Sequence, residues 1–135
     1  MASYKALVKN YLDTQQIKYR EPKEEMLNVS YSADNLSEIS IFIDFDEEEG
    51  KAEFVCFSIG KFDQDQYAKG LIACNSCNSK FRWVKFYIDD DNHIAVRADA
   101  ILDEETCGEE CLELVRRMVG IIDEAYPTFM KARWA

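Results

Sequence analysis

Histidine is nearly missing from this sequence: His93 stands alone among 135 residues. Imidazole is the side chain that most readily moves protons near neutral pH and most often ligates metals. A single copy beside a turn gives little to build acid–base chemistry on, and no G-x-S-x-G nucleophile motif accompanies it. Phosphate-cradling loops are absent as well, since neither a P-loop nor a G-x-G-x-x-G pattern occurs, and nucleotides lose their usual foothold. No lysine or arginine run exists. The formal charge is −10, from 26 acidic and 16 basic residues, so phosphate backbones and anionic lipid surfaces are repelled. Nucleic-acid and membrane roles are therefore not expected. Uninterrupted apolar stretches are also lacking. The opening segment MASYKALVKNYLD carries charges inside its apolar periodicity, so neither a signal peptide nor a transmembrane helix is expected. With only 5 Gly and 2 Pro, no linker or low-complexity segment divides the chain.

What is present is the composition of a folded globule, with 47% hydrophobic and 31% charged residues. A chain this long forms one domain, residues 1–135, and buries about two-thirds of its unfolded surface without needing staples. Five cysteines, an odd number without secretory features, fit free thiols and a reducing cytoplasm.

Periodicity orders the elements. Residues 3–16 carry Leu7, Val8, Tyr11 and Leu12 at helical spacing, with Ser3 as N-cap. Three strands follow: one around Leu27, Val29 and Tyr31, one around Ile39, Ile41, Ile43 and Phe45, and one over 52–59. An acidic turn at 46–50 joins the last two as a hairpin. A second helix over about 64–78, capped by Asp63, leads to a hairpin in which Trp83, Val84, Phe86, Tyr87 and Ile88 form one strand and Ile94 and Val96 begin the return. The third helix starts near Asp103 or Thr106, with a Thr106–Glu109 capping box, and runs to Ala125. Pro127 is expected to stop it, leaving a short aromatic tail. Strands joined by short turns pair antiparallel, and intervening helices cover one face. The fold class is α+β: a two-layer sandwich in the order α-β-β-β-α-β-β-α, with helices mainly on one face.

The other face is expected to be polar, yet the opposite strand parity holds Phe42, Trp83 and Tyr87, and the third strand is apolar on both parities through Val55 and Phe57. An aromatic open face marks an interface. The competing reading is that these rings are shielded by long neighbours such as Lys85 or by the tail. On the interface reading, Phe42, Phe57, Trp83 and Tyr87, with Phe129, Met130 and Trp134, form the partner-binding surface.

The cysteines invite a metal or redox reading. Cys74-x-x-Cys77 lies near a helix C-terminus, whereas reactive pairs of this spacing use the positive N-terminal end to stabilise thiolate. Adding Cys107 and Cys111 gives four potential zinc ligands, but Cys111 falls on the core stripe of the third helix. The acidic turns lack the glutamate that closes an EF-type calcium loop. No catalytic residue and no cofactor is assigned, and metal is not the favoured reading.

Residues 75–96, NSCNSKFRWVKFYIDDDNHIAV, carry a family resemblance. A helix ends in Asn75-x-x-Asn78, and the strand Trp83-Val84-Lys85-Phe86-Tyr87 follows, then an acidic turn and a second strand. Beyond these come an acidic helix cap, a long amphipathic helix and Tyr126-Pro127. This arrangement resembles the YbjN-like proteins, whose fold belongs with the type III secretion chaperone-like group. The resemblance implies a cytoplasmic, dimeric bacterial binding protein without an established active site. Secretion chaperones of this fold hold unfolded effector segments on apolar helix–sheet surfaces, and YbjN-like proteins are described as sensory or regulatory. The paired cysteines stand outside that pattern. The expectation is a non-enzymatic protein-binding module, chaperone-like or adaptor-like, working as a homodimer with a client or partner protein. The alternative is a regulatory dimer responding to a partner, or to metal or redox state, through its thiols.

Overall fold

A computed structural model describes residues 2–134. Helix α1 (Tyr4–Thr14) precedes strands β1 (Met26–Tyr31), β2 (Ile39–Asp46) and β3 (Lys51–Cys56). Helix α2 (Tyr67–Lys80) follows, then β4 (Lys85–Ile88), β5 (Ile94–Ile101) and helix α3 (Cys107–Trp134). The expected order and fold class hold. The strands form one antiparallel sheet in the order β1-β2-β3-β5-β4.

Alternation sets the register. Leu27 lies opposite Ile43, Ile43 opposite Phe54, and Phe54 opposite Ala98. All four are buried, so one apolar row crosses four strands beneath the helices. A one-residue slip would turn these side chains to the other face. Above the sheet, Phe62, Met118, Ile122 and Phe129 are fully buried, each contributing about 1.5–3 kcal/mol by leaving water.

The turns close with their own acids. Gly50 adopts φ 67° and its N–H donates to Asp46 O at 2.9 Å, while Glu49 N donates to Asp46 Oδ1 at 3.0 Å. In the second hairpin, Asp89 Oδ1 accepts from Asp91 N and His93 N, each at 2.9 Å. Ser3 Oγ accepts from Ala6 N at 3.0 Å, capping α1. The start of α3 is organised by Asp103, whose carbonyl accepts from Thr106 N and Cys107 N and whose carboxylate accepts from Glu105 N. α1 and α3 approach closely at Gly108, where a Cβ would meet Tyr11 Cβ at 2.4 Å.

β3 ends at Cys56 rather than at residue 59, and two further boundaries differ from expectation. Pro127 does not stop α3, which continues to Trp134. A proline inside a helix orphans the carbonyl four residues back, here that of Asp123. Asn35 Nδ2 donates to that carbonyl at 2.9 Å. The Asp123 carboxylate in turn accepts from Asn35 N at 2.7 Å and Leu36 N at 3.1 Å. A loop on the far side of the sequence thus supplies the missing donor. The second difference lies at β4, which begins at Lys85. Trp83 sits outside it with φ 75°, in the left-handed region that breaks strand alternation.

Candidate partner-binding surface

On the face of the sheet away from the helices, cross-strand rows can be read from the register. One row runs Asn28, Phe42, Val55, Arg97, Lys85. Asn28 is buried and satisfied, its Nδ2 donating to Ser40 Oγ at 2.8 Å and Ile41 O at 3.1 Å. Phe42 and Phe57 pack with ring centroids 5.2 Å apart at 56°. Phe57 nevertheless remains 52% exposed. Val55 and Ala95 share this face and are buried beneath larger neighbours. The Arg97 guanidinium lies 5.8 Å over the Tyr87 ring and pairs with Glu53 at 2.9 Å. Its Nε is buried without an acceptor, a cost offset by the other two contacts. A second row, Asp44–Glu53–Asp99, places three carboxylates side by side. The face is aromatic at its centre and acidic beside it.

The expected surface residues therefore separate. Phe42, Phe57 and Tyr87 come together on the open face. Trp83 does not join them: it lies over Arg117 of α3, 5.5 Å from ring centroid to guanidinium. Phe129 is fully buried, 5.4 Å from the Phe86 ring, because the helix that was expected to end at Pro127 carries it into the core. Met130 packs partly buried against that core. Trp134 is exposed at the end of α3 with Arg133 stacked on it at 5.4 Å. Val55 takes the open-face parity read for it, whereas Arg97 and Ala95 were missed as members of the face, although their parity with Tyr87 follows once β5 is in register. Leu71, Ile72 and Ile101 are further exposed apolar side chains. The first two lie on the outward side of α2, whose residues Ala68, Leu71, Ile72, Asn75, Ser76 and Ser79 are all exposed and uncharged.

Among the described residues, the other groups considered for chemistry do not come together. The four thiols considered as metal ligands do not converge. Cys77 bonds to the Thr128 side chain, whereas Cys107 and Cys111 lie 17 to 21 residues before Thr128 on α3, about 26–32 Å along the helix at about 1.5 Å per residue. Among the described residues, no group of three or more His, Cys, Asp or Glu side chains is placed to hold a metal ion. All five cysteines are buried and free. Burial pushes the Cys56 and Cys74 thiols up to about 11 and Cys111 up to about 12, and raises Cys77 and Cys107 as well. Raised values disfavour the thiolate form from which disulfide exchange proceeds. His93 Nδ1 lies 2.7 Å from Ser58 Oγ, but the Asp89 carboxylate is engaged with turn N–H groups rather than with the imidazole. Asn78 closes α2 onto β4: its Oδ1 accepts from Phe86 N at 2.7 Å and its Nδ2 donates to Phe86 O at 3.0 Å. It is a structural clamp.

Comparison with known proteins places this geometry. The family described as "YbjN: Putative bacterial sensory transduction regulator" matches residues 5–131. No curated protein matches the chain. Among solved structures, YbjN from E. coli superposes with a TM-score of 0.63 at 15% identity, covering 89% of each chain. A chain of the HopA1–SchA chaperone–effector complex superposes at 0.58 with 12% identity, covering 94% of this chain and 93% of that one. A chain of the heterodimeric ExoU–SpcU complex from the type III secretion system of Pseudomonas aeruginosa superposes at 0.56 with 15% identity, covering 92% and 95%. At such identities these likenesses establish the fold. With the family match running along nearly its whole length, this chain belongs to the YbjN family.

Proposed function

We propose that this chain is a non-enzymatic protein-binding module, chaperone-like or adaptor-like, that holds a segment of a partner protein on the open face of its sheet. The observation that carries this reading is the Phe42–Phe57 pair, an aromatic cluster at the centre of a face no helix covers. Aromatic anchors of this kind supply much of the affinity of protein interfaces, and the adjacent row of three carboxylates favours a partner with basic flanks. Two of the similar structures are complexes, one of them described as chaperone with effector, and that supports protein capture here. The working unit is a cytoplasmic homodimer. The outward face of α2 suits self-association, because Leu71 and Ile72 are exposed there among the uncharged Ala68, Asn75, Ser76 and Ser79. The family description speaks of sensory transduction; a regulatory role through partner binding fits this surface, while a thiol trigger is opposed by the burial and raised pKa values of the cysteines.

Affinity purification from the native host, with mass spectrometry of wild type beside a Phe42→Ser/Phe57→Ser variant, tests the reading. A stoichiometric partner retained by wild type and lost by a variant with an unchanged circular dichroism spectrum is expected. The same partner recovered at the same level on both would refute it.

A further inference from the structure

β5 has eight residues and β4 only four. The β4–β5 ladder runs from Ile88↔Ile94 to Lys85↔Arg97 and ends there. The remaining half of β5, residues 98–101, has a neighbour on its β3 side alone. The cause is local: Trp83, at φ 75°, turns the chain aside where the next pairings would have formed. The groups left over can be named. Ile94 N donates to Gly60 O and Ile94 O accepts from Ile59 N, both at 2.9 Å, and Leu102 N donates to Gly50 O at 2.8 Å. Even-numbered residues of β5 therefore point their main-chain groups toward β3. Antiparallel alternation turns the N–H and C=O of Asp99 and Ile101 the other way. Among the described residues no hydrogen bond reaches them there.

This free edge opens into a groove of about 630 Å³ between β5 and the first half of α3. Its apolar surface is made by Trp83, 60% exposed, with Ile101, 89% exposed, and the partly buried Leu114. Its rim is acidic, with Glu109 and Glu110 on α3 and Asp99 on β5. The one cation in the groove, Arg117, is already bonded to Glu113 at 2.7 Å and lies over Trp83. A bulky side chain in the left-handed region costs about 1–2 kcal/mol, and such outliers gather where a surface is used. Exposed strand edges are normally blunted by charge, proline or a covering element because they pair with whatever strand arrives. Here the edge is left open, and its surroundings select by charge.

We propose that the Asp99–Ile101 edge is a second binding site, which takes a short extended cationic segment of a partner protein as an added strand. Main-chain bonds to Asp99 and Ile101 hold the segment. Side chains at one parity face α3, where apolar groups cover Trp83 and Leu114 and lysine or arginine meets Glu109 and Glu110, and side chains at the other parity lie on the open-face side beside Asp99. The arrangement of Arg117 over Trp83 is an in-chain example of the cation contact such a guest would make. The site shares Asp99 with the acidic row of the open face but uses neither Phe42 nor Phe57.

The test uses the full chain, 15N-labelled, titrated with the blocked peptide Lys-Val-Lys-Val-Lys-Val and with its Glu-Val counterpart. Amide shifts and slowed hydrogen exchange at Asp99 and Ile101 are expected with the lysine peptide, at an affinity at least tenfold above that of the glutamate peptide. The exposed-site variant Glu109→Lys/Glu110→Lys should lower the affinity for the lysine peptide at least tenfold, while Phe42→Ser/Phe57→Ser should leave it unchanged. Equal binding of both peptides, or shifts confined to another surface, would overturn the assignment. So would concentration-dependent protection of Asp99 and Ile101 without peptide, which would give the edge to a second copy of this chain.

Discussion

Cys56, Cys74 and Cys111 keep their protons in the folded chain well past the pH at which an unfolded cysteine, with a pKa of about 8.5, releases its own. Their folded values of about 11, 11 and 12 come first from burial. A folded pKa above the unfolded one means stability is fully present below about pH 8. It is then lost as pH rises toward the folded values, at a limiting slope of about 1.4 kcal/mol per unit for each thiol. We expect the urea midpoint to fall between pH 8 and pH 10, and Cys111→Ala to fall less steeply than wild type over that range. A flat profile in wild type would contradict the buried placement. The residue scale also shows what sequence could and could not resolve. Cys111 was legible as core because its neighbours repeat at helical spacing. Cys74 and Cys77 were ambiguous, since three residues apart on a helix serves a core stripe and a ligand pair equally well. Trp83 was misplaced because period-two alternation says which face a strand residue takes, but not where the strand begins. One left-handed residue shifts that start.

At the scale of elements, the instructive case is α3. Proline is a local stop signal, and reading it that way assigned Phe129 to a tail. The helix persists because the Asp123 carbonyl, freed by Pro127, is taken by Asn35 from the segment between β1 and β2. That donor lies 88 residues away in sequence, beyond the reach of any local pattern. Asn35→Ala should cost about 0.5–1.5 kcal/mol, the usual net worth of a hydrogen bond that solvent can reach. In a Pro127→Ala background, the new N–H at position 127 can serve the carbonyl. The Asn35→Ala cost should then shrink by about 0.5 kcal/mol or more in a double-mutant cycle read by urea unfolding. Strict additivity would show that the helix continues for another reason. Strands β1, β2 and β5 and helix α1 were legible in outline because alternation, caps and acidic turns all pointed the same way. The early end of β3 and the late start of β4 were not, since both are set by what the chain does next rather than by the strand residues themselves.

At the scale of the molecule, charge and topology decide what the surface can do. Of the 26 acidic residues, Asp44, Glu53 and Asp99 stand side by side in adjacent strands, and like charges directly opposite destabilise a sheet. The screening length falls to about 10 Å at 0.1 M salt, so the melting temperature should rise from about 20 mM to about 300 mM sodium chloride as the repulsion is damped. Asp44→Asn should reduce that rise, and a fall with salt would mean that the ion pairs outweigh the repulsion. The layer order was readable from the sequence, and with it the suspicion that the second sheet face is an interface. Which aromatics share that face required the register: Phe42, Phe57 and Tyr87 are there, and Trp83, Phe129 and Trp134 are elsewhere. The central claim is that Phe57 touches a partner protein. Placing the photo-reactive residue benzoylphenylalanine at position 57 in the native host, with exposed position 34 as control, tests that contact directly. We expect a discrete adduct from position 57 alone, at a mass other than twice the 15.7 kDa chain. No adduct, equal adducts from both positions, or only the mass of two copies of this chain would contradict it.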